Sequence, residues 1–198
     1  MSEVPNKLYG LLLAGGRSKR MGCDKATLIH PDGRSLAQRG LDLLGGICER
    51  VLLSVRSDQD FPFSEGGNVS ILREPEGSDG GPLLGIVMAM RAEPHVDWLV
   101  IACDLPRLDQ ASLEYLVKAH EPDEMFLAYQ SEHDDQPEPL CAYYSALAKP
   151  ILEAALAHER LSPRDLLKEN HCRLISATDR GVLANANTPD EWLEFTKS

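Results

Sequence analysis

Short apolar runs alternate along this chain with stretches whose apolar residues recur at helical spacing. Tyr9–Leu13, Val51–Val55, Val69–Leu72 and Trp98–Ala102 read as buried strands. Each ends near turn chemistry or charge, as parallel strands covered on both faces do. Between them, Leu36, Leu41, Leu43, Leu44 and Ile47 form one apolar face, weakened at its end by Gly45-Gly46. Pro82, followed by Leu83, Leu84, Ile86, Val87 and Met90, predicts a helix with proline in its first turn. Asp109 is a candidate N-cap for a helix carrying Leu113, Leu116 and Val117. This alternation predicts a three-layer α/β fold with a mostly parallel sheet.

The last third is less regular. Met125–Gln130 and Leu140–Tyr144 read as strands flanking an acidic, flexible excursion, S-E-H-D-D-Q-P-E-P. A helix from Ala146 to His158 is expected next, then a short one near Pro163. Cys172–Ala177 and a closing helix after Pro189 complete the chain. No repeat, heptad register or linker divides it, so residues 1–198 are expected to form one domain.

Composition narrows the function classes. The chain has 198 residues and a formal net charge of -11, which argues against coating nucleic acid or an anionic membrane. A small anionic ligand is still compatible, because it responds to the local field of a cleft. The 5 cysteines are scattered without zinc-like spacing, and reduced, mostly buried thiols are expected. The first residues lack the layout of a signal peptide, and no apolar run reaches membrane-spanning length. A soluble cytoplasmic protein is the expectation.

In sheets of this class the ligand lies beyond the carboxyl ends of the strands. The first such segment, L-L-L-A-G-G-R-S-K-R-M-G-C-D-K, places Gly15 and Gly16 after an apolar run and then supplies cations. Ala14, Gly15 and Gly16 would let backbone approach a base and phosphates, while Arg20 and Lys25 neutralise charge. A tight strand-to-helix connection with solvated cations is the plainer alternative. Asp104, directly after a buried strand in A-C-D-L-P, suits a hydrated Mg²⁺, which binds one or two carboxylates plus substrate phosphates. A turn or capping aspartate before Pro106 would look the same in sequence. In E-P-E-G-S-D-G-G-P-L-L-G, Asp79 is placed to meet a ribose or a base edge, or merely to cap the helix behind it. Asn185 and Asn187 lie in N-A-N-T-P, where Thr188 or Asn187 capping the last helix explains most of the run. The histidines are scattered, and no serine has a nucleophile-elbow setting.

Together, L-A-G-G-x-S-x-R-M-G-x-D-K, D-G-G-P-L-x-G, C-D-L-P and N-x-N-T-P resemble the molybdenum cofactor guanylyltransferases, a branch of the Rossmann-like nucleotidyltransferases. Order and spacing agree from Leu8 to the end of the chain. The resemblance implies transfer of GMP from GTP to the terminal phosphate of Mo-molybdopterin, with Mg²⁺ and release of pyrophosphate. It implies nucleotide contacts from the loop backbone at Leu13, Ala14 and Gly15, phosphate contact from Lys25, nucleoside contact from Asp79, and Mg²⁺ on Asp104. Lys25, Arg20 and Asp104 would be the catalytic set, and Asn185 and Asn187 would meet the pterin substrate. Molybdoenzymes or their chaperones would receive the product. Ser54 stands where the family typically has an asparagine that binds nucleotide, and a lone hydroxyl replaces both a donor and an acceptor there. This keeps open a sister enzyme that uses CTP or forms a sugar nucleotide. A non-catalytic nucleotide or pterin carrier is the alternative from another class, and the set of Lys25, Asp79 and Asp104 argues against it.

Overall fold

The apolar runs become strands of one seven-stranded sheet in the computed structural model, which describes residues 7–16, 24–59, 66–186 and 188–197. In chain order the elements are β1 (Leu8–Leu13), α1 (Leu36–Gly45), β2 (Arg50–Val55), β3 (Val69–Arg73), α2 (Gly81–Ala92), β4 (Asp97–Ala102) and α3 (Gln110–Ala119). β5 (Phe126–Gln130), β6 (Pro137–Tyr144), α4 (Lys149–Ala157), α5 (Pro163–Glu169), β7 (Arg173–Ile175) and α6 (Pro189–Lys197) complete the order. The sheet order is β3-β2-β1-β4-β6-β5-β7. β6 pairs antiparallel with β4 and β5, and every other pairing is parallel. The mostly parallel three-layer expectation is borne out.

Period-two alternation sorts the strand residues onto two faces. Leu12, Leu53, Leu99 and Tyr129 pack against Leu41 and Leu44 of α1 and Leu113 and Leu116 of α3. Leu11, Leu52, Trp98 and Phe126 pack on the opposite face against Ile86 and Met90 of α2, Leu152 of α4 and Leu166 of α5. Both faces are dry, which explains why the parallel strands read as unbroken apolar runs. Side-chain caps fix three helix starts. Ser35 accepts from the Gln38 amide, Asp109 from Ser112 and Ser162 from Asp165, each worth about 1 kcal/mol.

Two elements differ from expectation. The helix expected from Ala146 splits into a 3-10 turn, Ala146–Ala148, and then α4, with Pro150 in its first turn. β6 begins at Pro137 rather than Leu140. Its first residues escape the ban on proline in sheets because β4 has already ended beside them. The β4 ladder stops at Ile101↔Cys141, so Pro137 and Glu138 pair only with β5. One step along β5, Ala128 to Tyr129, spans Ala142 back to Glu138 on β6. Pro139, Leu140 and Cys141 therefore bulge away from β5, at the edge where the parallel strands end.

Candidate active site

β1 and β4 are central neighbours, with Leu13 opposite Ala102, so the segments beyond them leave the sheet side by side. The Ala14 amide donates to the Ser54 carbonyl (2.9 Å), and the Cys103 amide donates to the Leu13 carbonyl (3.1 Å). Beyond the loop, the Asp24 carboxylate accepts from the Ala26 amide at 3.0 Å and starts a 3-10 turn over Lys25–Thr27. That turn sets the Lys25 ammonium 2.8 Å from Asp104 Oδ2, with side chains only 12% and 23% exposed. A lysine and an aspartate 79 residues apart thus form the polar centre of the crevice.

Residues after β2 brace the glycine loop. Gln59 is buried, donates from Nε2 to the Ala14 carbonyl (3.1 Å) and to Asp24 Oδ2, and accepts from the Arg56 amide at 3.2 Å. One side chain therefore ties the start of the loop to its return. Arg56 Nη1 donates to the Gly15 and Gly16 carbonyls at 3.0 and 3.1 Å. Gly15 passes so close to the next wall that a Cβ there would lie 3.0 Å from Glu74 Oε1.

The cleft over this floor has a volume of about 470 Å³. Lys25, Arg56, Glu74, Ser78, Asp79 and Asp104 are among the residues that line it. Burial raises the Glu74 carboxyl above the ordinary carboxylate range, an effect opposed by the Ser54 hydroxyl and the Arg56 charge. Burial also pushes the Cys103 thiol far above its usual range, with the Asp104 charge adding to it, so it remains a thiol and not a nucleophile.

A second recess of about 260 Å³ opens on the far side of Asp104, sharing Ala102, Asp104 and Leu140 with the cleft. The bulged residues of β6 form one wall, and Arg164 and Asn185 reach it from α5 and the C-terminal segment. Asn185 is held in place by its neighbour, whose Ala186 amide donates to the Asp104 carbonyl at 3.3 Å. Thr188 caps α6 through its hydroxyl, which accepts from the Glu191 amide at 3.3 Å.

Of the expected site residues, Leu13, Ala14, Gly15, Gly16, Lys25, Asp79 and Asp104 line the cleft, and Asn185 lines the recess. Asp79 is not a cap, since Gly80 caps α2 with no side-chain hydrogen bond. Arg20 and Asn187 lie outside the described residues. The expectation for Ser54 needs correction: it is wholly buried beneath the cleft and lines neither cavity. Its hydroxyl lies 3.5 Å from Glu74 Oε1, and a Cβ at Gly85 would come within 2.7 Å of it. Ser54 therefore reaches the cleft through Glu74. Sequence reasoning misses Arg56 and Glu74, although each directly succeeds a strand end where ligands are expected.

Among the described residues no group of three or more His, Cys, Asp or Glu side chains is gathered for a metal. Asp104 alone fits a cation that takes most of its oxygens from phosphates and water. Among the same residues no helix is long and apolar enough to cross a membrane.

A glycine loop, a lysine and a carboxylate converging at the ends of parallel strands define a nucleotide-handling α/β protein. The chain matches the model of the MobA-like NTP transferase domain over residues 10–174, and it belongs to that nucleotidyltransferase family. It is 35% identical to a molybdenum cofactor biosynthesis bifunctional protein of Synechocystis, over 97% of this chain but 54% of that protein. The chain thus spans about half the length of that relative. It is 30% identical to a molybdenum cofactor guanylyltransferase of Pseudomonas putida, covering 91% of this chain and 93% of the relative. The fold is similar to that of molybdopterin-guanine dinucleotide biosynthesis protein A from Archaeoglobus fulgidus, with a TM-score of 0.75 at 20% identity over 96% and 97% of the two chains.

Proposed function

We propose that this chain is a molybdenum cofactor guanylyltransferase, which transfers GMP from GTP to the terminal phosphate of Mo-molybdopterin. One observation carries the reading: the Lys25–Asp104 pair stands where a nucleotide-sized cleft and a second recess meet. Two substrates with anionic phosphates can be brought together there. An acceptor phosphate oxygen attacks the α-phosphorus in line, the bond to the β-phosphate bridging oxygen breaks, and pyrophosphate leaves with that electron pair. The attacking oxygen is already anionic, so no protein base is needed. The chain must supply orientation and charge.

The loop from Leu13 to Gly16 receives the nucleotide by backbone, and Gln59 and Arg56 hold that backbone fixed. Lys25, with Arg20, neutralises charge growing on the departing pyrophosphate. Asp104 would hold Mg²⁺ together with phosphate oxygens and water, and the bound ion would lower the charge that opposes attack. In the same cleft, Glu74 takes the part that the sequence assigns to Ser54. Guanine offers adjacent N1–H and N2 amino donors, which a carboxylate accepts as a pair, whereas cytosine offers a ring acceptor there. Asp79 faces the nucleoside from the same wall. We place the reaction in the cytoplasm, with the product passing to molybdoenzymes or their chaperones.

Pyrophosphate release from GTP and from CTP, each with purified Mo-molybdopterin, tests the proposal. GTP-dependent release that requires the acceptor is expected. Release with CTP alone would favour the sister enzyme, and none with any nucleotide would favour a carrier.

A further inference from the structure

The segments that carry Lys25 and Asp104 are joined a second time, by a residue that lines neither the cleft nor the recess. After its 3-10 turn the Lys25 segment folds into a short hairpin, with Ile29 opposite Ser35 and the His30 amide donating to the Arg34 carbonyl at 2.8 Å. The Leu36 amide donates to the Leu28 carbonyl at 2.9 Å, so the hairpin closes onto the start of α1. Asp32 stands at its tip. Asp32 Oδ2 accepts from Arg34 Nη2 at 2.7 Å and from Arg39 Nη1 at 2.5 Å. Arg39, in the first turn of α1, sends its other amino group to the segment after Asp104. There Nη2 donates to the Pro106 carbonyl at 3.3 Å and to the Leu108 carbonyl at 3.4 Å. Pro106 has no N–H, so its backbone can be fixed only as an acceptor.

We propose that Arg39 is a positioning residue for nucleotidyl transfer. It holds the loop after Asp104 against the hairpin after Lys25, and so fixes how those two groups face each other. The inference rests on the reading that makes Lys25 and Asp104 part of the catalytic set. The Arg39 and Asp32 side chains are 16% and 30% exposed. An ion pair this open to solvent adds little to stability, whereas a rigid fork aimed at two carbonyls defines a position. The Ala186 amide already holds the Asp104 carbonyl at 3.3 Å, and Arg39 holds the chain just beyond it. A lysine would keep the charge beside Asp32 but lose the planar spread that meets a carboxylate and two carbonyls at once.

The test is pyrophosphate release by the whole chain with Mo-molybdopterin and GTP or CTP, resolved into kcat and KM. Arg39→Met keeps the apolar stem and removes the fork. It should lower kcat by about 10- to 100-fold, the scale of a small misplacement, and leave the nucleotide KM within about twofold. Arg39→Lys should recover only part of that loss. Asp32→Asn, which frees the far end of the fork, should show a smaller loss of the same kind, and it carries the test if Arg39→Met fails to fold. In a Lys25→Ala background Arg39→Met should cost no more than about twofold, because the pair it positions is already broken. Urea denaturation checks that each variant is folded under assay conditions. A near-normal kcat in folded Arg39→Met, full recovery with lysine, or an undiminished loss in the Lys25→Ala background overturns the inference. Hydrogen exchange at the Leu108 and Ala186 amides, which donate to the Leu105 and Asp104 carbonyls, reads the loop without turnover. Faster exchange at both in Arg39→Met, in a protein that releases no pyrophosphate from either nucleotide, upholds the clamp and sinks the guanylyltransferase reading instead. Unchanged exchange at both overturns the clamp, whichever nucleotide is used.

Discussion

The two halves of the sheet meet at Asp104 but build their cavities differently. On the β3-β2-β1-β4 side every strand is parallel, and the cleft is made by the segments just past the carboxyl ends: the glycine loop, Arg56, Glu74 and Asp104. On the other side, β6 runs the opposite way and meets the same edge with its first residues, so the recess wall is strand and bulge. The parallel half gives chemistry a regular place to sit. The antiparallel strand adds a cavity by departing from regularity.

The sharpest way to break this division is at the shared centre. Lys25→Ala or Asp104→Asn should lower kcat by about 10³-fold, the scale on which a positioned charge stabilises a transition state. Quantitative pyrophosphate release checks this, and near-normal turnover in either variant removes that residue from the mechanism. Asparagine is preferred to alanine at Asp104 because it removes the charge and keeps the side chain's volume beside Lys25.

Next in size are changes confined to the nucleotide half. Gln59→Leu removes the amide that joins Ala14 to Asp24 and leaves the Ala14 carbonyl unpaired at a buried position. It should raise the KM for GTP by about tenfold, with a smaller fall in kcat. Gly85→Ala tests the floor. Its new methyl would stand 2.7 Å from the Ser54 hydroxyl and 2.8 Å from Leu13 Cδ2. Overpacking of this kind costs about 1–3 kcal/mol, to be read from urea denaturation.

The same division explains how much is legible in the sequence. Apolar runs covered on both faces declare themselves, and the pattern places β1, β2, β3 and β4 within a residue or so of their ends. Their loops carry the motif residues at strand ends, where general rules say to look. Ser54 misleads because a strand residue's side is set by the register of its neighbours, and here it points into the layer under α2. The start of β6 is hidden by Pro137 and Pro139, which disfavour strand unless one edge is free. That edge is freed only where β4 stops, a long-range fact absent from local sequence. Glu138 and Arg164 escape notice for the same reason, since a bulge and a separate helix bring them together.

The smallest expected effect is a change in stability at Glu74. Burial raises this carboxyl, so the folded chain holds the proton more tightly than the unfolded chain does. Relative to a neutral side chain, the stability Glu74 contributes is therefore full below its unfolded pKa and is lost as pH rises through the folded one. At neutral pH a charged Glu74 costs stability, partly offset by Ser54 and Arg56. Glu74→Gln should accordingly melt slightly higher than the unaltered chain at pH 8, with the gain gone at pH 4. At pH 8 it should also bind GTP less well, because the amide offers guanine one acceptor in place of the carboxylate's two. A gain in stability with a loss of affinity is the signature of a residue kept for its ligand. If melting curves and GTP titrations instead fall together, Glu74 serves the fold of the parallel half and another group reads the base.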